Sequence, residues 1–204
     1  MIYKIFKTSL LSVWPSLVIV AVSIVCIRFA YLRNHRDSAK FYHEFWTFVG
    51  IVYLLLLYQL VTRVDINAYS GKNLVPFAEI TRYKFGSRLF MYNVVGNIAM
   101  FIPFGYFIAS YIKPKKMWTN LIIGAIVSLA IEYVQLNIGR TFDIDDIILN
   151  TFGCILGFLV YIGFSAIVRH LPSIFQSDWL KNLICIIITA LVVIYVLKMM
   201  GIVF

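Results

Sequence analysis

Six stretches of the chain are apolar over about the length that an α-helix needs to cross a bilayer. A hydrocarbon core about 30 Å thick is spanned by about 20 apolar residues in a helix, and a helix satisfies its backbone hydrogen bonds internally, as lipid requires. The sequence therefore predicts an all-α integral membrane protein, a single domain (1–204) with a bundle of about six transmembrane helices. The six stretches are residues 10–30, 45–62, 90–112, 118–136, 144–167 and 180–197.

The composition excludes an ordinary soluble domain, because 62% of the residues are apolar and only 13% are charged, against about 25% charged in soluble proteins. The net charge of +9 is spread over short connectors, where basic residues set topology and contact lipid head groups. No basic face or recognition motif predicts nucleic-acid binding. The cysteines, at positions 26, 154 and 185, are far apart within apolar runs and predict neither a disulfide nor a zinc site.

A polar connector, residues 63–88, separates the second and third runs and carries the apolar sequence Asn73-Leu74-Val75-Pro76-Phe77. We expect this sequence to form a re-entrant or interfacial segment. The 18 Lys and Arg residues divide equally between the two sides of the membrane, but the dense short connectors should decide orientation. We therefore place residues 28–40 and the turn 113–116 in the cytoplasm, and the connector 63–88 outside.

Three groups of polar residues interrupt the apolar runs, although a charge at the bilayer centre costs at least ~2.5 kcal/mol. Within each group the spacing of three or four residues places the side chains on one helix face. All three groups fall at the same membrane face, together with Asn73 and Arg140, and this convergence predicts a shared polar site. The groups are Asn93 and Asn97; Glu132 and Gln135, with Ser128 one turn earlier; and Asp143, Asp146 and Asn150.

Each group also has a structural interpretation. The asparagines are typical of hydrogen bonds between helices, and the spacing of Gly153 and Gly157 is typical of close helix packing. Asp143 and Asp145 suit the positive start of a helix, and a buried ion pair between Glu132 and Arg140 would be purely structural.

Catalytic and metal chemistry have little support in the pattern. Asp143, Asp145 and Asp146 are the candidates for a divalent-cation site with Glu132, since such cations prefer oxygen ligands, but their spacing does not match an EF-hand. No serine-nucleophile, Walker or dinucleotide motif occurs. We predict no cofactor, and enzymatic activity is left open with Glu132 as the candidate catalytic residue.

The same residues resemble the VanZ-like family. The core of the resemblance is about 45–167, with 10–30 as an extra N-terminal span and 180–197 as a C-terminal span. It is carried by Asn73-Leu74-x-Pro76-Phe77, by Asn93-x-x-x-Asn97 leading into Phe101-Ile102-Pro103-Phe104-Gly105, by Glu132-x-x-Gln135, and by Asp143-x-x-Asp146-x-x-x-Asn150-x-x-Gly153-x-x-x-Gly157.

The resemblance implies a multi-pass protein of the bacterial plasma membrane, linked to the Gram-positive cell envelope and to resistance to teicoplanin and related lipoglycopeptides. The implied partner besides the lipid bilayer is an amphiphile, either a lipid-linked cell-wall precursor or a lipoglycopeptide. Arg140, with Arg82 or Arg88, would contact its anionic groups. Asn73, Asn93, Asn97, Gln135 and Asn150 would form hydrogen bonds, and Glu132, Asp143 and Asp146 would accept from hydroxyls or amines.

Two other functions compete with this hypothesis. One is an intramembrane enzyme that acts on a lipid-linked phosphate or sugar, with Glu132 as general base and the aspartates holding a divalent cation. The other is a proton-coupled transporter that uses Glu132.

Overall fold

The computed structural model describes residues 41–62 and 71–199, together with residues 19, 22, 23 and 26. It divides into two units, of which one comprises residues 53–164 and the other includes residues 41–52 and 165–199. The predicted first span, 10–30, lies outside the described residues except for four helical positions. The number of spans therefore stays a prediction.

The described chain is mainly helical, as predicted. Four helices are long and apolar enough to cross a membrane: α1 (Phe41–Val61), α3 (Arg88–Ile112), α4 (Trp118–Asn137) and α5 (Ile144–His170). Three short elements, β1 (Lys72–Asn73), α2 (Ala78–Arg82) and β2 (Phe142–Asp143), lie in the connectors, and α6 (Ser173–Gln176) and α7 (Asp178–Met199) follow α5. Helix α7 covers the predicted sixth run.

Local signals account for the ends of α3. The Ser87 hydroxyl caps its start by accepting from the Phe90 N–H at 3.2 Å. At the other end Lys113 adopts a left-handed conformation and its N–H bonds to the Ala109 carbonyl, which closes the last turn. Pro114 follows immediately and cannot continue the helix.

Within the first unit, α3 and α5 pack with their backbones in contact at glycines. A Cβ atom added at Gly157 would lie 2.8 Å from the Gly105 Cα, and one added at Gly105 would lie 2.8 Å from the Cys154 Cα. Side chains therefore have no room at this crossing, which is how small residues allow membrane helices to approach closely. Phe101 and Cys154 belong to the apolar core beside it.

The connector between α1 and α3 is tied to the start of α5. Strands β1 and β2 pair in parallel, with Asn73 opposite Asp143, and the Phe142 N–H donates to the Gly71 carbonyl at 3.0 Å. This short pairing brings the predicted segment Asn73–Phe77 to the polar start of α5, although the two are about 70 residues apart in sequence.

In the second unit, the beginning of α7 contacts the beginning of α1. The Asn182 side-chain oxygen accepts from the Tyr42 backbone N–H at 2.9 Å. The Lys181 ammonium lies 5.3 Å from the centre of the Tyr42 ring, within the range of a cation–π interaction.

Candidate functional site

The start of α5 is built around the side chain of Asp143. Its Oδ1 accepts from the Asp145 N–H at 2.9 Å and from the Asn73 amide at 3.1 Å, which is the geometry of a helix N-cap. Its own N–H donates to Glu132 Oε2 at 2.8 Å. Burial raises the pKa of the Asp143 carboxyl above its usual range, although both donors to Oδ1 act to lower it. Asn73, Glu132 and Asp143 are thus brought together, as the sequence predicted.

The carboxylate of Asp145 holds the connector. It is fully buried and accepts from the backbone N–H groups of Phe77, Glu79 at 2.7 Å and Ile80 at 3.2 Å. These groups open the short helix α2, which has no cap of its own. Asp145 therefore serves as the missing N-terminal cap from a distant part of the chain. From the sequence Asp145 had two interpretations, a metal ligand or a residue at the start of its own helix α5, and neither predicted that it caps α2. Among the described residues no group of His, Cys, Asp or Glu is arranged to hold a metal ion.

Replacing Asp145 should destabilise the protein selectively. Asp145→Ala leaves three partly buried N–H groups without their acceptor at about 1 kcal/mol or more each, so we expect a loss of about 3 kcal/mol in detergent melts. The matched control is Glu79→Ala, which removes an ion pair with the largely exposed Arg82 and the acceptor of the Tyr83 hydroxyl, and should cost no more than about 2 kcal/mol. Amide exchange at Phe77 and Ile80 should accelerate only in the first variant. Similar losses in both variants would contradict the capping role.

A group of polar side chains joins α4 to its neighbours. We call it the polar layer and define it by Asn97, Ser128, Glu132, Asp146 and Asn150. The Asn150 amide donates to the Ser128 hydroxyl at 2.9 Å, and the Asn97 amide donates to Asp146 Oδ1. Glu132, one turn from Ser128, is 1% exposed. Helices α3, α4 and α5 thus each contribute a side chain to this layer, which lies beside the Asp143 cap.

Three oxygens of this layer have no donor within the described part of the chain. They are Glu132 Oε1 and Asp146 Oδ2, to which no hydrogen bond is made, and Asn150 Oδ1, which is buried and unpartnered. Since Asp146 and Asn150 are one turn apart on α5, and Asn150 is bonded to Ser128 on the Glu132 face of α4, the three oxygens lie on facing helix surfaces. Such a set can accept hydrogen bonds from hydroxyl or amino groups.

Arg140 and Gln135 close the site against the end of α1. Arg140 Nη1 and Gln135 Nε2 both donate to the Val61 carbonyl, at 3.0 and 3.3 Å. That carbonyl lies at a helix C-terminus, where orphan acceptors need donors. No direct ion pair joins Glu132 and Arg140 among the described residues, but the guanidinium is near enough to act electrostatically on both Glu132 and Asp146.

Other residues predicted for the site lie elsewhere. Asn93 is exposed while Asn97 is half-buried. Residues 91–95 form a π-helical turn at this point of α3. The Asn93 amide lies beside the Tyr83 hydroxyl. Arg82 pairs with Glu79 at 2.8 Å, and Arg88 is exposed at the start of α3.

Asn120 was not among the predicted site residues, and its side chain is fully buried. The Asn120 amide donates to the Gly105 carbonyl at 2.7 Å, and the Cys154 thiol donates to the Asn120 backbone carbonyl at 3.2 Å. The signal was present in the spacing, since Asn120, Gly124, Ser128 and Glu132 recur every four residues along the buried face of α4. Asn120 belongs to the helix crossing and not to the polar layer.

No curated protein and no solved structure matches the chain. The family model described as VanZ/LLP1 matches residues 45–169, which agrees with the core expected from the motifs at about 45–167. The matched region contains the helices α3 and α4, both connector strands and every residue of the polar layer. Because the match covers more than half of the chain, the protein belongs to the VanZ/LLP1 family.

Proposed function

We propose that this protein is a multi-pass component of the bacterial plasma membrane with six transmembrane helices, and that its polar layer faces outward and binds the head of an amphiphilic envelope molecule. The ligand would be a lipid-linked cell-wall precursor or a lipoglycopeptide such as teicoplanin. Binding would make a Gram-positive host more resistant to that class of antibiotic, as the VanZ-like resemblance implies. Helix α7 would be the sixth span.

The observation that carries the proposal is a set of acceptor oxygens that have no donor among the residues the structure describes, Glu132 Oε1, Asp146 Oδ2 and Asn150 Oδ1. A buried acceptor left unsatisfied costs about 1–3 kcal/mol, and more when it is charged. A ligand that offers hydroxyl or amino donors would remove this cost. The sugar and peptide heads of cell-wall precursors and glycopeptides are rich in such donors.

Arg140 would supply the positive charge of the site. One nitrogen already donates to the Val61 carbonyl, and a guanidinium has further N–H groups that can reach a carboxylate or phosphate. Asn73, Asn97 and Gln135 would mainly hold the carboxylates and Arg140 in place, since each is bonded within the protein. Asn93 would contact ligand from the rim.

A proton-coupled transporter is the second candidate, favoured by one observation. The Glu132 carboxylate is almost fully buried within a helix long enough to cross a membrane, and intramembrane carboxylates recur in proton relays. An intramembrane enzyme is the third candidate, with Glu132 as base and the aspartates holding a divalent cation. Asp145 is already committed to three backbone N–H groups, which leaves fewer ligands for such a cation.

We also propose that the segment Asn73–Phe77 lies in the membrane interface next to the polar layer. Leu74, Val75 and Phe77 are each more than half exposed, and apolar residues beside membrane-crossing helices are best accommodated by lipid. An amphiphile could then pass from the lipid to the polar layer without losing contact with apolar surface.

The outward orientation can be tested by thiol labelling in intact cells. In a background with Cys26, Cys154 and Cys185 replaced, Asn137→Cys should react with a membrane-impermeant reagent because Asn137 is exposed beside the polar layer. Lys115→Cys, in the connector between α3 and α4, should react only after the cells are permeabilised. The reverse pattern would place the polar layer in the cytoplasm and contradict binding of an external ligand.

A further inference from the structure

The connector between α1 and α3 and the start of α3 carry exposed apolar side chains, with exposed basic residues next to them in the sequence. We call these apolar side chains the connector patch and define it by Leu74, Val75, Phe77, Phe85 and Leu89, each more than half exposed. Phe85 is 87% exposed, and its ring lies 5.1 Å from that of Phe90. Large apolar side chains exposed in this number within residues 74–89 are typical of a segment that contacts a membrane or another molecule.

The exposure is imposed by the backbone. The buried Asp145 carboxylate holds the Phe77 N–H, and Phe77 itself has a left-handed conformation with φ of 66°, which is unfavourable for a bulky residue. The strand pair fixes Asn73 against Asp143. The backbone at Asn73 and Phe77 is thus held by Asp143 and Asp145, while the apolar side chains of the patch stay exposed.

Basic residues accompany the patch. Lys72 lies two residues before Leu74, Lys84 precedes Phe85, and Arg88 precedes Leu89; all three basic side chains are exposed. None of them has an ion-pair partner in the described part of the chain. Arg82 is paired with Glu79, so residues 71–90 hold four basic residues and one acid and carry a net charge of +3.

We infer that the connector patch is a binding surface for anionic lipid, with the apolar side chains among the acyl chains and Lys72, Lys84 and Arg88 against the head groups. The inference rests on the interfacial placement of Asn73–Phe77 proposed above and adds the lipid class that the surface selects. Basic residues beside inserted apolar groups combine electrostatic attraction with hydrophobic burial, and each contributes about 1 kcal/mol near an anionic surface, or about fivefold in affinity. A neutral lipid would leave these charges without a partner.

The test measures lipid contact locally, with the full-length protein in vesicles. A Phe85→Trp variant, with Trp14, Trp46, Trp118 and Trp179 replaced by phenylalanine, reports fluorescence from position 85 alone. Quenching is compared for brominated phosphatidylglycerol, which is anionic, and brominated phosphatidylcholine, which is zwitterionic. The same background with Ile126→Trp provides the lipid-facing control, because Ile126 is exposed in the middle of α4. Leu89→Trp is a second probe if Phe85→Trp lowers the melting temperature.

The expected result is quenching at position 85 by both lipids, with the anionic lipid favoured over the zwitterionic one by about fivefold or more. Position 126 should show almost no preference. The triple change Lys72→Gln, Lys84→Gln and Arg88→Gln should remove the preference at position 85 and leave the quenching itself. Neutralising Lys113, Lys115 and Lys116 instead should leave the preference intact.

The two ways of failing are distinguishable. If position 85 is not quenched by either lipid while position 126 is, the placement of the connector patch in the membrane interface and the inference are both overturned. If position 85 is quenched equally by both lipids, or if its preference survives the triple change, the placement stands and the anionic-lipid surface is overturned.

Discussion

Gly157→Leu should prevent the protein from folding stably in membranes, whereas Gly163→Leu should have little effect. A Cβ at position 157 would lie 2.6 Å from the Tyr106 backbone nitrogen and 2.8 Å from the Gly105 Cα. Backbone atoms cannot move aside as a flexible side chain can, so the helices α3 and α5 must separate. Overpacking costs typically 1–3 kcal/mol, and separating this crossing should cost about 3 kcal/mol or more.

Gly163 is the matched control because it lies on the same helix and no heavy atom of the described residues is within 4 Å of a Cβ added there. Thermal unfolding in detergent and the amount of protein in the membrane fraction measure the difference. We expect a strongly lowered melting temperature or loss of the protein for Gly157→Leu only. Equal losses, or a greater loss for Gly163→Leu, would contradict the packing described for the α3–α5 crossing.

The membrane-crossing helices could be predicted from the sequence because the bilayer imposes their length. The apolar run 90–112 became α3, which begins at Arg88 and ends at Ile112, and the run 118–136 became α4, which extends one residue further. Pro114 cannot continue a helix, and α3 ends two residues before it at Ile112. Each of these features acts on residues that are close in sequence, so it has the same effect on the backbone whatever the tertiary structure.

The convergence of Asn73, Glu132 and Asp143 was also predictable. Antiparallel spans place the end of one helix beside the start of the next, so polar groups at those ends must share one membrane face. What could not be predicted is the partner of each group. Asp145 bonds to the connector and Arg140 to the Val61 carbonyl, because backbone groups about 65–80 residues away in sequence need partners and no local pattern shows which will be adjacent.

Two details were inaccessible for other physical reasons. A strand of two residues such as β1 carries no periodicity, so its pairing with β2 arises from tertiary structure alone. The π-helical turn at residues 91–95 has no distinctive composition, so it could not be predicted from the sequence.

Removing one carboxylate charge from the polar layer should abolish function and preserve the fold. In Glu132→Gln the amide oxygen can still accept from the Asp143 N–H, and in Asp146→Asn the amide oxygen can still accept from Asn97. Each variant converts an oxygen without a donor into an amide nitrogen, which cannot accept a hydrogen bond. It also removes a charge that is costly in a membrane, so stability should be equal to or above that of the wild type.

A purely structural role predicts the opposite behaviour. If the carboxylates only balance the charge of Arg140, neutralising one of them leaves this partly buried cation less well compensated and destabilises the protein. Glu79→Gln is the control, because Glu79 lies in the same connector region and pairs with Arg82 outside the polar layer. It should retain both function and stability.

The deciding measurement is the teicoplanin susceptibility of a sensitive Gram-positive host that expresses the wild type, Glu132→Gln, Asp146→Asn or Glu79→Gln, with membrane abundance and melting temperature determined for each protein. Binding by the polar layer predicts resistance above the empty vector for the wild type and Glu79→Gln, and loss of that resistance for the other two variants at normal abundance and stability. Full resistance in Glu132→Gln and Asp146→Asn would contradict a ligand-binding role for the polar layer.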